Sequence, residues 1–312
     1  MATPSSSLPG NTTIPQHPPS DAPFNPYGYV PTEWICALFV ALFSLSTLIH
    51  FGQAIRSRLW FLLPTVCLGG IAEIIGWAAR LWSSKNPTAL NPYLMQIVTT
   101  IIAPTPLIAA NFVILGELIR RLGPKYSRLS PMWYSILFVS ADIIALVVQA
   151  VGGAQAATAA RNRTDAEPGG RIMLGGIAFQ LGCISIYMAL AAEFVMRYLW
   201  DRPARNVDVS KHTTHALTQK LKLLLIGLTF SSIVIFIRSI YRTIELTDGW
   251  NGRIIKTQVY FNVLDGGMVT LAFYCMNFFH PGWLLGHGPW RQTKHNEYDD
   301  EEVPEKQTPS GH

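Results

Sequence analysis

The chain has 312 residues, of which 49% are hydrophobic and only 14% charged, where a soluble domain carries about a quarter charged residues. Its formal net charge is +5, its pI about 9.0 and its mean hydropathy +0.25. In a soluble protein that charge would suggest a nucleic-acid partner, but here the basic residues fall in short clusters between long apolar runs, so no nucleic acid is expected.

Residues 1–30 hold Ser, Pro, Asn and Thr and no Lys or Arg. They lack the basic start and apolar core of a signal peptide and read as a disordered external tail. A membrane domain then occupies 31–283. Seven runs there approach the roughly 20 residues a helix needs to cross the hydrocarbon core: 32–54, 61–82, 94–119, 132–152, 172–197, 221–244 and 257–279. The breaks between them carry Pro, Gly, Ser and charge. Residues 284–312 include the acidic run Tyr298-Asp299-Asp300-Glu301-Glu302 and read as a disordered cytosolic tail. The fold class is therefore an all-α membrane protein, a seven-transmembrane-helix bundle.

In chain order, span 2 carries Glu73 and Arg80, seven residues apart and so on one helix face. Span 3 carries Gln96 and Asn111, with a kink expected at Pro104 and Pro106. Span 4 carries Asp142 and Gln149 at the same seven-residue spacing, and span 5 carries Gln180. Span 6 carries Arg238, Arg242 and Glu245 as a stripe, and span 7 carries Asn262 and Asp265 beside Gly266-Gly267. An ionised side chain at mid-bilayer costs about 2.5–3.5 kcal/mol on insertion scales, so these stripes are expected to face the bundle interior. They form either a polar cavity for a charged or hydroxylated head group or an ion-pair network that orders the helices. With so many spans contributing at once, the cavity is the preferred reading. Glu73, Arg80, Gln96, Asp142, Gln149, Gln180, Arg238, Arg242, Glu245 and Asp265 are its candidate lining. Trp34, Trp60, Trp77, Trp82, Trp133, Trp200, Trp250 and Trp283 read as an interfacial belt. The glycine pairs at 69–70, 152–153, 175–176 and 266–267 read as packing features.

Orientation follows from the loop charges. With the N-terminus outside, the cytosolic connections hold twelve Lys and Arg residues, four between spans 3 and 4 and six between spans 5 and 6, against six on the other side. The bias places the N-terminus outside and the C-terminus in the cytosol. The sequons at Asn11 and Asn162 both fall on the external side and are candidate glycosylation sites.

Several functions are disfavoured by what the spans lack. No lysine lies at membrane depth within a span to form a retinal Schiff base. The acidic-Arg-aromatic triplet of G-protein-coupled receptors is replaced by Leu118-Ile119-Arg120-Arg121-Leu122, and no Asn-Pro-x-x-Tyr closes span 7. Cys36, Cys67, Cys183 and Cys275 all fall within apolar runs, so neither a loop disulfide nor a Cys-x-x-Cys metal site is expected. His50 and His280 lie near span ends, and His212 and His215 share a loop, a weak case for a metal. No phosphate-binding Gly-x-x-x-x-Gly-Lys-Ser/Thr loop is present. No catalytic residues, metal or cofactor are expected, and transport would be downhill, ion-coupled or dependent on another protein.

The intramembrane residues are recognisable as an ordered set. They comprise Tyr27-Gly28-Tyr29-Val30-Pro31; Glu73-x2-Gly76-x3-Arg80; Gln96 followed by Ala103-Pro104; Asp142-x6-Gln149-x2-Gly152-Gly153; Gly176-x3-Gln180; Arg238-Ser239-x-Tyr241-Arg242-x2-Glu245; Tyr260-x4-Asp265; and His280-Pro281. Over about residues 27–283 the series resembles the fungal lipid-translocating exporter family, known for 7-aminocholesterol resistance and containing a yeast sphingoid long-chain-base exporter. The resemblance implies a seven-span protein of fungal plasma or internal membranes that moves lipids or confers resistance to toxic amphiphiles. The expected partners are membrane lipids or amphiphilic small molecules, and the expected role is a non-enzymatic translocator in the plasma membrane. The alternative is a seven-helix lipid or sterol sensor signalling through its cytosolic loops.

Overall fold

The structure, a computed structural model, describes residues 25–162, 164–204, 217–249 and 252–285. Seven helices among these residues are long and apolar enough to cross a membrane. They are α1 (Glu33–Ser57), α2 (Trp60–Lys85), α3 (Leu90–Leu122), α4 (Pro131–Arg161), α5 (Glu167–Leu199), α6 (Gln219–Thr247) and α7 (Gln258–Leu285). No strand occurs among the described residues. Each helix matches one expected span, α1 and α7 starting one residue later than expected, and each runs beyond it at one end or both. The largest extension is at the end of α4, where Ala-Gln-Ala-Ala-Thr-Ala-Ala continues the helix after the apolar run ends, as strong helix formers do.

Sequential spanning helices run antiparallel, held so by short connections everywhere but between α5 and α6. One end of the bundle, the N-face, carries residues 25–32 and the α2–α3, α4–α5 and α6–α7 connections; the opposite C-face carries the other three. Sequential helices pack side by side, and α7 returns to pack on α1. Helix α3 also touches α5 and α6 and is the most buried of the seven, so it stands at the centre of the ring. The outer surface is apolar: Leu48, Ile143, Ile144 and Ile186 are each more than half exposed. On a water-facing protein so extensive an apolar surface would be an aggregation hazard; facing acyl chains it costs nothing. Trp34, Trp60, Trp82, Trp133, Trp200 and Trp283 are exposed near helix ends, as an interfacial belt requires. Trp77 departs from that expectation. It is fully buried and stacks on Phe39 with ring centroids 4.1 Å apart.

Glycine sets the closest helix approach. Helices α4 and α5 meet at Gly152 and Gly169, where a Cβ on either would stand 2.7 Å from the other's carbonyl oxygen. Backbone cannot yield as a side chain can, so only glycine fits there.

Three departures from regular helix shape the interior. Helix α3 breaks at Ala103, between Leu90–Ile102 and Pro104–Leu122. Pro104 has no N–H to offer the Thr100 carbonyl four residues back, so that oxygen is left free for another partner. Helix α2 opens with a 3-10 turn and a π-helical turn over Leu63–Cys67, and α7 contains a π-helical segment over Phe261–Gly267. Such segments often occur at functional positions.

Residues 25–30 correct the expected tail boundary. Asn25 to Val30 lie folded against the N-face, with Tyr27 buried. Residues 1–24 and 286–312, and with them Asn11 and the acidic run, lie outside the described residues.

Candidate functional site: a charged cleft at the N-face

The π-helical segment of α7 presents Asp265 to the stripe on α6. Arg242 grips this carboxylate at two points, Nε to Oδ1 at 2.7 Å and Nη2 to Oδ2 at 2.8 Å. Arg238 donates from Nε to the same Oδ1 at 2.9 Å. Its Nη2 reaches the Thr100 carbonyl at 2.7 Å, which is the oxygen that Pro104 frees. The α3 break and the α6 charge therefore solve each other's problem. Arg242 also donates to Glu245 Oε2 at 2.8 Å and to Thr100 Oγ1 at 3.1 Å, and the Tyr241 hydroxyl donates to Glu245 Oε1 at 2.7 Å. Bidentate, charge-assisted bonds of this kind are the strong ones, and all six side chains are buried.

Glu73 faces the same group from α2. Asp265, Arg238 and Arg242 are the charges acting on it. Its position differs in kind, since both carboxyl oxygens are buried with no hydrogen-bond partner among the described residues. The Trp77 indole one turn along lies near it without making a bond of proper geometry. Trp77 in turn packs against Gly266, where any side chain would collide with the indole.

Arg80, one turn from Trp77 toward the N-face, is buried with no acidic partner among the described residues. Its Nη2 donates to the Tyr29 hydroxyl at 2.6 Å and its Nη1 to Gln96 Oε1 at 3.4 Å. Its guanidinium lies 4.3 Å from the Phe261 ring centroid and 5.3 Å from that of Tyr27. A desolvated cation over aromatic faces gains about 2 kcal/mol or more from each good contact. Tyr27 completes the arrangement through Ser83 and Gln96, each at 3.1 Å. Burial pushes the Tyr27 phenol up to about 12, although the Arg80 charge opposes the shift.

Two adjoining spaces reach this group. A narrow cleft is lined by Tyr27, Tyr29, Arg80, Tyr93, Gln96, Arg242, Glu245 and Phe261, with room for little more than a water. A wider cavity of about 180 Å³ lies between α5, α6 and the α6–α7 connection, lined by Glu167, Arg171, Leu174, Glu245, Leu246 and Ile255 among others. Glu245, Leu246 and Ile255 belong to both. Glu245 thus stands between an open mouth and the arginine group.

The ten candidate residues therefore do not line one cavity. Arg80, Gln96, Arg242 and Glu245 line the cleft, while Glu73, Arg238 and Asp265 lie among the buried groups behind it. Asp142, Gln149 and Gln180 form a separate network between α4 and α5. There Gln180 Nε2 donates to Asp142 Oδ1 at 2.6 Å and to Thr105 Oγ1 at 3.3 Å, and Gln149 Nε2 donates to Gln180 Oε1 at 3.0 Å. The shared stripe spacing put Asp142 on an inward face correctly, but α4 and α6 sit on opposite flanks of α3, and spacing along one helix cannot show that. Sequence reasoning missed Tyr27, Tyr29, Trp77, Thr100 and Phe261. Pro104 was the available signal for Thr100, and the Tyr27-Gly28-Tyr29 entry for the first two.

The seven apolar helices with their charged interior define an integral membrane protein. The chain belongs to the RTA1-like protein family, whose profile matches residues 66–288. It is similar to the sphingoid long-chain base transporter RSB1 of Saccharomyces cerevisiae, 29% identical over 282 residues, 83% of this chain and 74% of that protein. It is also similar to protein RTA1 of the same organism, 28% identical over 268 residues, 78% of this chain and 80% of that one. Protein RTM1 is 29% identical over 219 residues, 70% of this chain and 66% of that protein. No solved structure matches the chain.

Proposed function

We propose that this protein moves amphiphilic, lipid-like molecules across a membrane, the plasma membrane in particular, and that the N-face cleft holds their head group. The observation that carries the reading is the continuity at Glu245, which faces both the 180 Å³ mouth and the arginine group. That mouth is smaller than the roughly 300–1,000 Å³ of a site that engulfs a whole drug-sized ligand. It suits a head group whose acyl chain stays in the lipid beside α5 and α6.

The chemistry favours a head with an amine and hydroxyls. An arriving ammonium competes with Arg242 for Glu245 and finds a second carboxylate at Glu167. Hydroxyls find Gln96 and the phenols of Tyr27, Tyr29 and Tyr93. Arg80, which has no acidic partner among the described residues, gives an anionic head a weaker alternative. The name of the yeast relative, a sphingoid long-chain base transporter, agrees with this preference. Asp142, Gln149 and Gln180 have no part in the cleft and are proposed to hold α4 and α5 in place.

A photoreactive long-chain amino-diol tests the binding site directly. Crosslinks are expected on α5 between 167 and 174 and from the end of α6 into its connection between 245 and 249, competed by unlabelled base and not by a fatty acid. Labelling spread over the lipid-facing surface without competition would refute the assignment.

A further inference from the structure

The seam between α1 and α7 in the C-face half carries a second polar line that the cleft does not use. His50 Nε2 lies 3.1 Å from the Phe273 carbonyl, which can only accept, so Nε2 carries the ring proton and Nδ1 is left a bare acceptor. His280 is the same tautomer: its Nδ1 accepts from the Gly282 N–H at 3.1 Å, so its proton also sits on Nε2. Gln53 donates to the Asn277 carbonyl at 3.0 Å, and Asn277 donates to Ser46 at 2.5 Å. Those bonds leave His50 Nδ1, Gln53 Oε1 and Asn277 Oδ1 as buried acceptors without donors. His280 Nε2 and the Thr47 hydroxyl are buried without partners as well.

So many unpartnered polar atoms in one seam are rare in folded proteins. Three acceptors and two groups able to donate are what a short file of water molecules satisfies, each water making about three such bonds. The file points somewhere. Thr47 Oγ1 packs directly on Gly70 of α2, and one helical turn beyond Gly70 is Glu73, whose two carboxyl oxygens are also unpartnered. Beyond Glu73 stand Asp265, Arg242, Glu245 and the N-face cleft. In this group two guanidiniums face three carboxyls, and hydrogen bonds pair the guanidiniums with Asp265 and Glu245, leaving Glu73 over.

We propose that the protein conducts protons through this seam, between the C-face end at His280 and His50 and the carboxyl of Glu73. A proton enters from the aqueous phase at the C-face, passes along the hydrated side chains, and protonates Glu73. It leaves onward through Glu245 into the cleft, so one proton enters for each that leaves. An ionised carboxylate without a donor is costly to bury, and a carboxyl that binds and releases a proton is the economical occupant of such a position. The ionisable groups acting on Glu73 are Arg238 and Arg242 of α6 and Asp265 of α7; α1 and α3 bring none at this depth. The group acting on His50 is His280. Coupling this flow to head-group movement rests on the translocator reading; the proton path does not.

The full-length protein in liposomes containing a trapped pH-sensitive dye, with the membrane voltage clamped by potassium and valinomycin, tests both. An imposed pH gradient is expected to collapse faster than in protein-free liposomes, and Glu73→Gln is expected to return the rate to the protein-free value. Thr47→Val, which removes one hydroxyl and keeps the side-chain shape, is expected to slow the rate and serves if Glu73→Gln does not fold. In parallel, a fluorescent quaternary-ammonium amphiphile, whose head cannot itself carry a proton, reports whether the gradient drives transport. A wild-type rate equal to that of protein-free liposomes, or a rate unchanged in both folded variants, overturns the proposal. Proton flow without amphiphile movement leaves the path standing and removes the translocator reading; amphiphile movement without proton flow does the reverse.

Discussion

Arg238 donates to the carbonyl oxygen of Thr100 at 2.7 Å, the atom that Pro104 deprives of its helical partner. A break in α3 and a charge on α6 are thus one feature. Pro104→Ala restores an N–H four residues after Thr100 and lets the helix reclaim that oxygen. The expected result is a straighter α3 with Arg238 displaced, visible as reduced transport in a variant whose thermal stability is maintained or raised. Unchanged transport would show that the Arg238 contact is not needed for the site.

The two-point grip of Arg242 on Asp265 makes Arg→Lys a severe change, because an ammonium cannot reproduce the planar fork. Removing one partner of a buried pair costs about 3–5 kcal/mol. Arg242→Lys and Asp265→Asn are each expected to lower the thermal midpoint in detergent sharply. The double change Arg242→Gln with Asp265→Asn is expected to be milder than the sum of the corresponding single changes. Strict additivity would contradict a direct ion pair.

Gly152 and Gly169 let two backbones touch. Gly169→Val puts a branched side chain against the α4 backbone, an overpacking that costs typically 1–3 kcal/mol or more. Lower thermal stability is expected for this variant and little change for Ala at Gly175, where the structure leaves open space. Equal effects at both positions would rule out the close approach.

The N-terminal segment should respond to alkali in a defined direction. The buried Tyr27 phenol stands near 12 against about 10 in an unfolded chain. Its contribution to docking the segment is therefore complete below about pH 10 and lost as pH rises through 12. Tyrosinate absorbance of wild type minus Tyr27→Phe follows this titration; a midpoint near 10 would mean that the segment is undocked.

Orientation has its own test. Asn162 is exposed at the end of α4, on the same face as residues 25–32. With that face external, expression in a eukaryotic host should attach a glycan that Asn162→Gln removes. Modification of cysteines introduced on the C-face connections by an impermeant reagent in intact cells would reverse the orientation.

The number and place of the helices were legible because a long apolar run has one stable solution in a bilayer, with every backbone group paired within the helix. Which residues turn inward was legible too, since Glu73, Arg80, Asp142, Arg238 and Asp265 cannot face lipid cheaply. Their partners were not legible. Pairing depends on the order of helices around α3, which separates Asp142 from Arg242 although both lie on inward stripes. The docking of Tyr27 and Tyr29 was hidden because the segment's composition is that of a tail, and Trp77 because interfacial tryptophans are the commoner kind. The α1–α7 seam escaped notice because Thr47, Gln53 and Asn277 are uncharged.

The most direct test of the cleft is flux. Purified protein in liposomes is expected to carry a fluorescent sphingoid base across the membrane faster than it crosses protein-free vesicles, and Glu245→Gln is expected to abolish the excess while the variant still elutes and melts as a folded protein. Wild-type movement no faster than in empty vesicles, or full movement in Glu245→Gln, would contradict the translocation cleft.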